Sequence, residues 1–127
     1  MTDVSPLGVW TGTVSHDGKA DEFTISFTLD GVVTSTTRVS GGRGDWSADE
    51  DGSFRYTLRE EFTPGLGLPG FVQISISARR DGETYTGTGN ATVHAPDGTR
   101  LHSTTALVKG ALLSAVGIDL LRDKAPH

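Results

Sequence analysis

Glu60 occupies a position where a carboxylate is unexpected. In the run Phe54 to Phe62, Phe54, Tyr56 and Leu58 alternate with Arg55, Thr57 and Arg59, and Glu60 and then Phe62 fall on the apolar side. An extended chain repeats its faces every two residues, so Glu60 is expected to point toward the core. Burial disfavours the charged form of a carboxyl group. A group so placed could protonate or hydrogen-bond a carbonyl, or act as a base. The competing reading is a bulge at Glu60-Glu61 that turns the side chain to solvent.

Other groups could share this chemistry. Tyr56 and Tyr85 are expected on inward faces, where a phenol can orient a polar ligand group or satisfy a backbone carbonyl. Together with Glu60 they form the candidate catalytic set. Phe27, Trp46, Leu58, Phe62, Leu66, Leu68, Ile74 and His102 form the candidate ligand-binding set. Trp46 either lines a cavity mouth or closes the core. Leu66 and Leu68 lie in TPGLGLPG, whose prolines restrict and whose glycines free the backbone. Such a loop is either a lid that excludes water or a segment packed on a neighbouring strand or subunit.

His94 and His102 lie on consecutive strand segments and could approach one another across the ladder. Two histidines without an acidic partner fall short of the three or four protein ligands that zinc takes, so no metal or other cofactor is expected. Cysteine is absent, which leaves neither a disulfide nor a thiolate site. No phosphate-binding loop or nucleophile elbow occurs.

These residues need a scaffold, and a repeated dipeptide supplies its outline. Asp-Gly recurs at Asp17-Gly18, Asp30-Gly31, Asp51-Gly52, Asp81-Gly82 and Asp97-Gly98. Both residues tolerate the positive φ that tight hairpin turns require. Between the turns lie segments rich in Thr, Val, Ile and aromatics, which favour strands. Strands are expected near 8–15, 21–30, 32–40, 44–49, 53–62, 70–80, 83–95 and 99–110. Eight antiparallel strands joined in sequence give an all-β, up-and-down sheet. Closure into a barrel removes its exposed edges; an open sheet or a sandwich is the alternative.

Alternation places Phe23, Ile25, Phe27 and Leu29 inward on the second strand and Val72, Ile74 and Ile76 inward on the sixth. On the seventh the inward set is Tyr85, Gly87, Gly89, Ala91 and Val93. Its glycines leave room for a bend, for large neighbours or for a ligand. The C-terminal ALLSAVGIDLLRDKAPH has a rough helical period through Leu112, Leu113, Val116, Leu120 and Leu121. A short helix over 111–122, with a tail at 123–127, could cover a barrel end or support a homodimer.

At 127 residues the chain is read as a single domain, with a barrel over 7–110. The formal charge of −5 and a pI near 5.2 disfavour a nucleic-acid surface, which needs clustered Lys and Arg. No apolar run approaches the ~18 residues of a membrane helix. MTDVSPLGVW carries neither the charged nor the apolar region of a signal peptide, so a cytoplasmic protein is expected.

The opening PLGVWTGTV, with Gly8-x-Trp10 entering the first strand, resembles the start of lipocalins and related calycins. The layout that follows, with GDW ending at Trp46, DGSFRY at 51–56, GETYTGTGNATV ending at Val93 and DGTR at 97–100, is similar to small bacterial lipocalin-like proteins. The resemblance implies a calycin-like barrel, with Trp10 plugging one end, that binds an apolar small molecule. It also implies a cofactorless natural-product cyclase or isomerase as one function, including intramolecular cycloaddition. The alternative is a non-catalytic carrier or sensor of a hydrophobic molecule. A third reading, a structural interaction module, needs no pocket. A cavity of about 300 Å³ or more would favour the first two readings over the third.

Overall fold

A computed structural model of the chain describes residues 6–16, 18–49, 52–62 and 70–114. Its strands are β1 (Gly8–His16), β2 (Lys19–Phe27), β3 (Val32–Thr36), β4 (Ser40–Ala48), β5 (Ser53–Phe62), β6 (Phe71–Asp81), β7 (Thr84–His94) and β8 (Arg100–Ser114). Each pairs antiparallel with the next, and β8 returns to β1, so the sheet closes into an eight-stranded up-and-down barrel. The glycine of every Asp-Gly pair has positive φ, between 63° at Gly82 and 92° at Gly52 and Gly98. That is the backbone state for which the dipeptide is suited.

Three boundaries depart from the sequence expectation. The run 32–40 is not one strand: β3 stops at Thr36 and the chain turns through 37–39. Thr37 N–H donates to Ser40 O at 2.9 Å, and Val39 N–H donates to Thr37 Oγ1 at 3.2 Å. A threonine hydroxyl thus stabilises a turn among residues whose β-branching suggests a strand. The glycine-rich segment after it, which falls between the strands expected near 32–40 and 44–49, is the first half of β4 and pairs on both sides with β3 and β5. Leu29, expected inward, lies in the β2–β3 turn and is 87% exposed.

The third departure is at the C-terminus. Residues 111–114 do not start a helix; they extend β8, with Trp10 opposite Leu112 and Thr11 opposite Ala111. Pairing with β1 closes the barrel, and this long-range ladder overrides the local helical period. The rest of the expected helix and the tail lie outside the described residues, as do Leu66, Leu68 and the proposed lid.

Inward faces are apolar and outward faces carry Thr, Ser, Arg and Glu, as in Thr84, Thr86 and Thr88 of β7. A membrane barrel needs the reverse polarity on its lipid side. No helix long and apolar enough to cross a membrane occurs among the described residues.

One end of the barrel, where the chain enters at Pro6, is filled with rings. Trp10 is fully buried and donates Nε1–H to Pro6 O at 2.8 Å. Its ring meets Tyr85 edge-on at 5.1 Å, Tyr85 meets Phe54 at 5.3 Å, and Phe27 stands against Phe54 and Tyr56 at 5.6 and 5.3 Å. Edge-to-face packing at these distances is the favoured aromatic geometry. The Arg80 guanidinium lies 5.2 Å from the Trp10 ring centroid. Gly110 permits the arrangement, since a Cβ there would meet Tyr85 Cε2 at 2.4 Å. Gly87 likewise gives way to large neighbours: its Cβ would fall 2.8 Å from Ala78 Cβ and 2.9 Å from Ile76 Cγ2.

Candidate functional site

The opposite end, where β1, β3, β5 and β7 finish, carries Glu60. The β5 ladder runs without a bulge from Ser53 through Glu61 against β6 and from Phe54 to Phe62 against β4. Alternation therefore holds to the strand end, and Glu60 points inward at 9% exposure.

Its carboxylate is accommodated by a gap in the wall. Gly42 on β4 lies directly between Ser35 on β3 and Glu60 on β5. A Cβ at Gly42 would come within 2.6 Å of Glu60 Cγ and 2.9 Å of Ser35 Oγ. Without that Cβ, the two flanking side chains meet above the middle strand, and Ser35 Oγ–H donates to Glu60 Oε2 at 2.7 Å. Ser40 Oγ–H donates to Oε1 at 3.1 Å. Two hydroxyl donors thus meet a buried charge that would be costly if left bare.

Below Glu60 is a chamber of about 50 Å³, lined by Phe23, Ile25, Leu58, Ile74, Ile76 and Val108 with Tyr56 and Ser35. At ~30 Å³ per water it holds little. Above Glu60 the barrel mouth opens into a hollow of about 450 Å³, lined by Val14, Asp21, Thr37, Arg38, Val39 and Phe62 among others. Val14, Thr37 and Glu60 border both spaces. The chamber alone is smaller than a ligand site; the mouth falls within the ~300–1,000 Å³ common for such sites.

Tyr56 lines the chamber, and its hydroxyl lies 3.3 Å from that of Tyr85. Burial pushes the Tyr56 phenol well above its ordinary pKa, with the neighbouring Tyr85 and the negative charge of Glu60 adding to the shift. Burial also raises Tyr85, partly opposed by its hydrogen bond with Tyr56. Both phenols are neutral at physiological pH, and in the bond between them one hydroxyl donates while the other accepts.

The expected site residues therefore divide. Glu60, Tyr56, Leu58 and Ile74 border the chamber, and Glu60 and Phe62 border the mouth. Phe27, Tyr85 and Trp46 belong to the ring-filled end instead. The Trp46 Nε1–H donates to Thr28 O at 2.8 Å and its ring meets Phe27 at 6.1 Å, which makes it part of the closure rather than of the mouth. His102 is exposed, contrary to its expected place in the ligand-binding set: it lies opposite Val93 in the row that contains Glu60, at the end of the strand, and borders neither space.

His94 does not approach His102. A register shift after Val93 sets His94 opposite Arg100, and its ring stacks on Phe71 at 4.9 Å on the outer face. Among the described residues no group of three or more His, Asp or Glu is placed to hold a metal ion.

Ser35, Thr37 and Ser40 are the site residues that sequence reasoning missed. Ser35 had a usable signal, since it follows Val33 on the inward face, but Ser40 depended on where β4 begins.

No family model matches the chain, and no match was found among the curated proteins or the solved structures.

Proposed function

We propose that the protein is a non-catalytic carrier or sensor of a small hydrophobic molecule held at the open end of the barrel. The supporting observation is the apolar chamber that shares Val14, Thr37 and Glu60 with a mouth of about 450 Å³. Apolar surface placed there leaves water, at ~25 cal/mol per Å², while the sealed end keeps solvent from the chamber floor. Kinship with calycins belongs to the same proposal and rests on Gly8-x-Trp10 and the strand layout.

Titration with Nile red, a neutral apolar fluorophore, tests it. Saturable one-to-one binding with a blue-shifted emission is expected, lost in Val14→Trp while the circular dichroism of the barrel is retained. No saturable binding by the wild type, or binding indifferent to Val14→Trp, overturns the proposal.

A cyclising or isomerising enzyme is the second reading. Tyr56 favours it, because a protonated phenol and the Glu60 carboxylate border the same apolar space and could act on one substrate. Holding reacting atoms together could supply several kcal/mol more. The carrier reading is better supported because these groups already direct their hydrogen bonds to protein partners. Conversion of a linear precursor to a cyclic product, abolished by Tyr56→Phe with binding intact, would establish the enzyme.

A further inference from the structure

The Glu60 carboxylate is surrounded by hydrogen bonds of a single direction. Val39 N–H can only donate, and it donates to Thr37 Oγ1 at 3.2 Å. Thr37 Oγ1 and Ser40 Oγ are 2.7 Å apart. Ser40 Oγ reaches Glu60 Oε1 at 3.1 Å. A carboxylate can only accept, so the Ser40 proton points to Glu60 and the Thr37 proton to Ser40. Ser35 supplies a second proton, to Oε2. The Ser35 and Ser40 protons are thus aimed at the carboxylate, and the Thr37 proton is aimed at Ser40 behind it.

Hydroxyl dipoles solvate a negative charge without neutralising it. Among the described residues the ion pairs are His16 with Asp21 and Arg55 with Asp49, and neither involves Glu60. A buried charge is costly unless paired. Each carboxylate oxygen offers about two acceptor directions, and one on each is taken. Glu60 borders both chamber and mouth, which leaves its remaining acceptor capacity to what occupies them. The rim adds to the negative field: among the described residues Asp21, Glu22 and Arg38 line the mouth, with Asp21 3.2 Å from His16 Nε2.

We infer that the ligand is a small hydrophobic amine whose ammonium group binds Glu60. This inference rests on the proposed binding role and specifies its ligand class. The ammonium supplies a counter-charge through charge-assisted hydrogen bonds, stronger than those a neutral group could make. The adjoining hydrocarbon lies against Val14, Val39 and Phe62, and the chamber admits only a short aliphatic tip.

Three probes of one chain length separate the head-group chemistry: hexylamine, 1-hexanol and hexanoate, titrated at pH 7 and followed by NMR. Hexylamine is expected to bind about tenfold or more tightly than 1-hexanol, with hexanoate weakest. In Glu60→Gln the amine should fall to about the affinity of the alcohol. Equal binding of amine and alcohol, or a preference for hexanoate, overturns the inference, while Nile red binding would leave the carrier role standing. Failure of Nile red and all three probes overturns both. An amine preference that persists in Glu60→Gln places the charge recognition at another carboxylate and overturns the inference. If that variant does not fold, the wild type still decides. Nuclear Overhauser contacts are expected from the amine α-methylene to the Ser35 and Ser40 β-protons, and contacts confined to other residues reject the site.

Discussion

Ser35 and Glu60 are joined across a strand that neither belongs to. β4 runs between them, and Gly42 is the residue at the crossing. Because glycine has no side chain, the hydroxyl and the carboxylate meet at 2.7 Å over its backbone. The buried charge at the barrel mouth depends on this gap.

Gly42→Ala should therefore disrupt the site through steric pressure. The new Cβ would meet Glu60 Cγ at 2.6 Å and Ser35 Oγ at 2.9 Å, with Arg59 O at 3.3 Å. Overpacking of this kind costs about 1–3 kcal/mol, measurable by urea denaturation. Glu60→Ala should cost less in the Gly42→Ala background than in the wild type, because the clash is then relieved. Simple additivity of the two substitutions would show that Gly42 does not make room for Glu60.

Trp10→Ala removes the centre of the ring-filled end. Trp10 is fully buried, meets Tyr85 edge-on and donates to Pro6 O. Truncation of a buried tryptophan costs about 3–5 kcal/mol. An unchanged denaturation midpoint would contradict its role as the plug.

The tyrosines make alkaline stability testable. Tyr56 and Tyr85 are the two tyrosines of the chain, and burial raises both in the folded state. The unfolded chain releases their protons near pH 10, whereas the native barrel retains them. The native state then binds more protons, so stability falls as pH rises above about 10 and is unaffected by these groups below it. Tyrosinate absorbance near 295 nm should accordingly appear together with loss of the circular dichroism signal. Ionisation at pH 10 with the fold intact would contradict the burial of the pair.

Leu29→Ser tests a position at which alternation misleads. The side chain lies in a turn at 87% exposure, so the change should alter stability by no more than about 0.5 kcal/mol. A loss of several kcal/mol, the cost of an inward leucine, would restore the second-strand assignment.

Much of the architecture is legible in local sequence because its causes are local. Asp-Gly marks the turns through backbone preference, and two-residue alternation correctly orients Phe54, Tyr56, Leu58 and Glu60. Gly8-x-Trp10 marks the end that is plugged. The Thr37–Ser40 turn is less visible, since a threonine hydroxyl stabilises it where no glycine or proline signals a break.

The sequence by itself determined strand number, order and direction, but left open whether Glu60 stays on the apolar side of β5 or turns to solvent at a bulge, which the unbroken ladder decides. Only the tertiary structure decided what Glu60 meets. Ser35 and Ser40 reach it because closure and register align β3, β4 and β5 at Gly42, and register across three strands is not a property of any one of them. The same holds for the C-terminal end of β8, where residues 111–114 have a helical period. Pairing with β1 makes that segment a strand, because backbone hydrogen bonds to a distant partner outweigh a weak local preference.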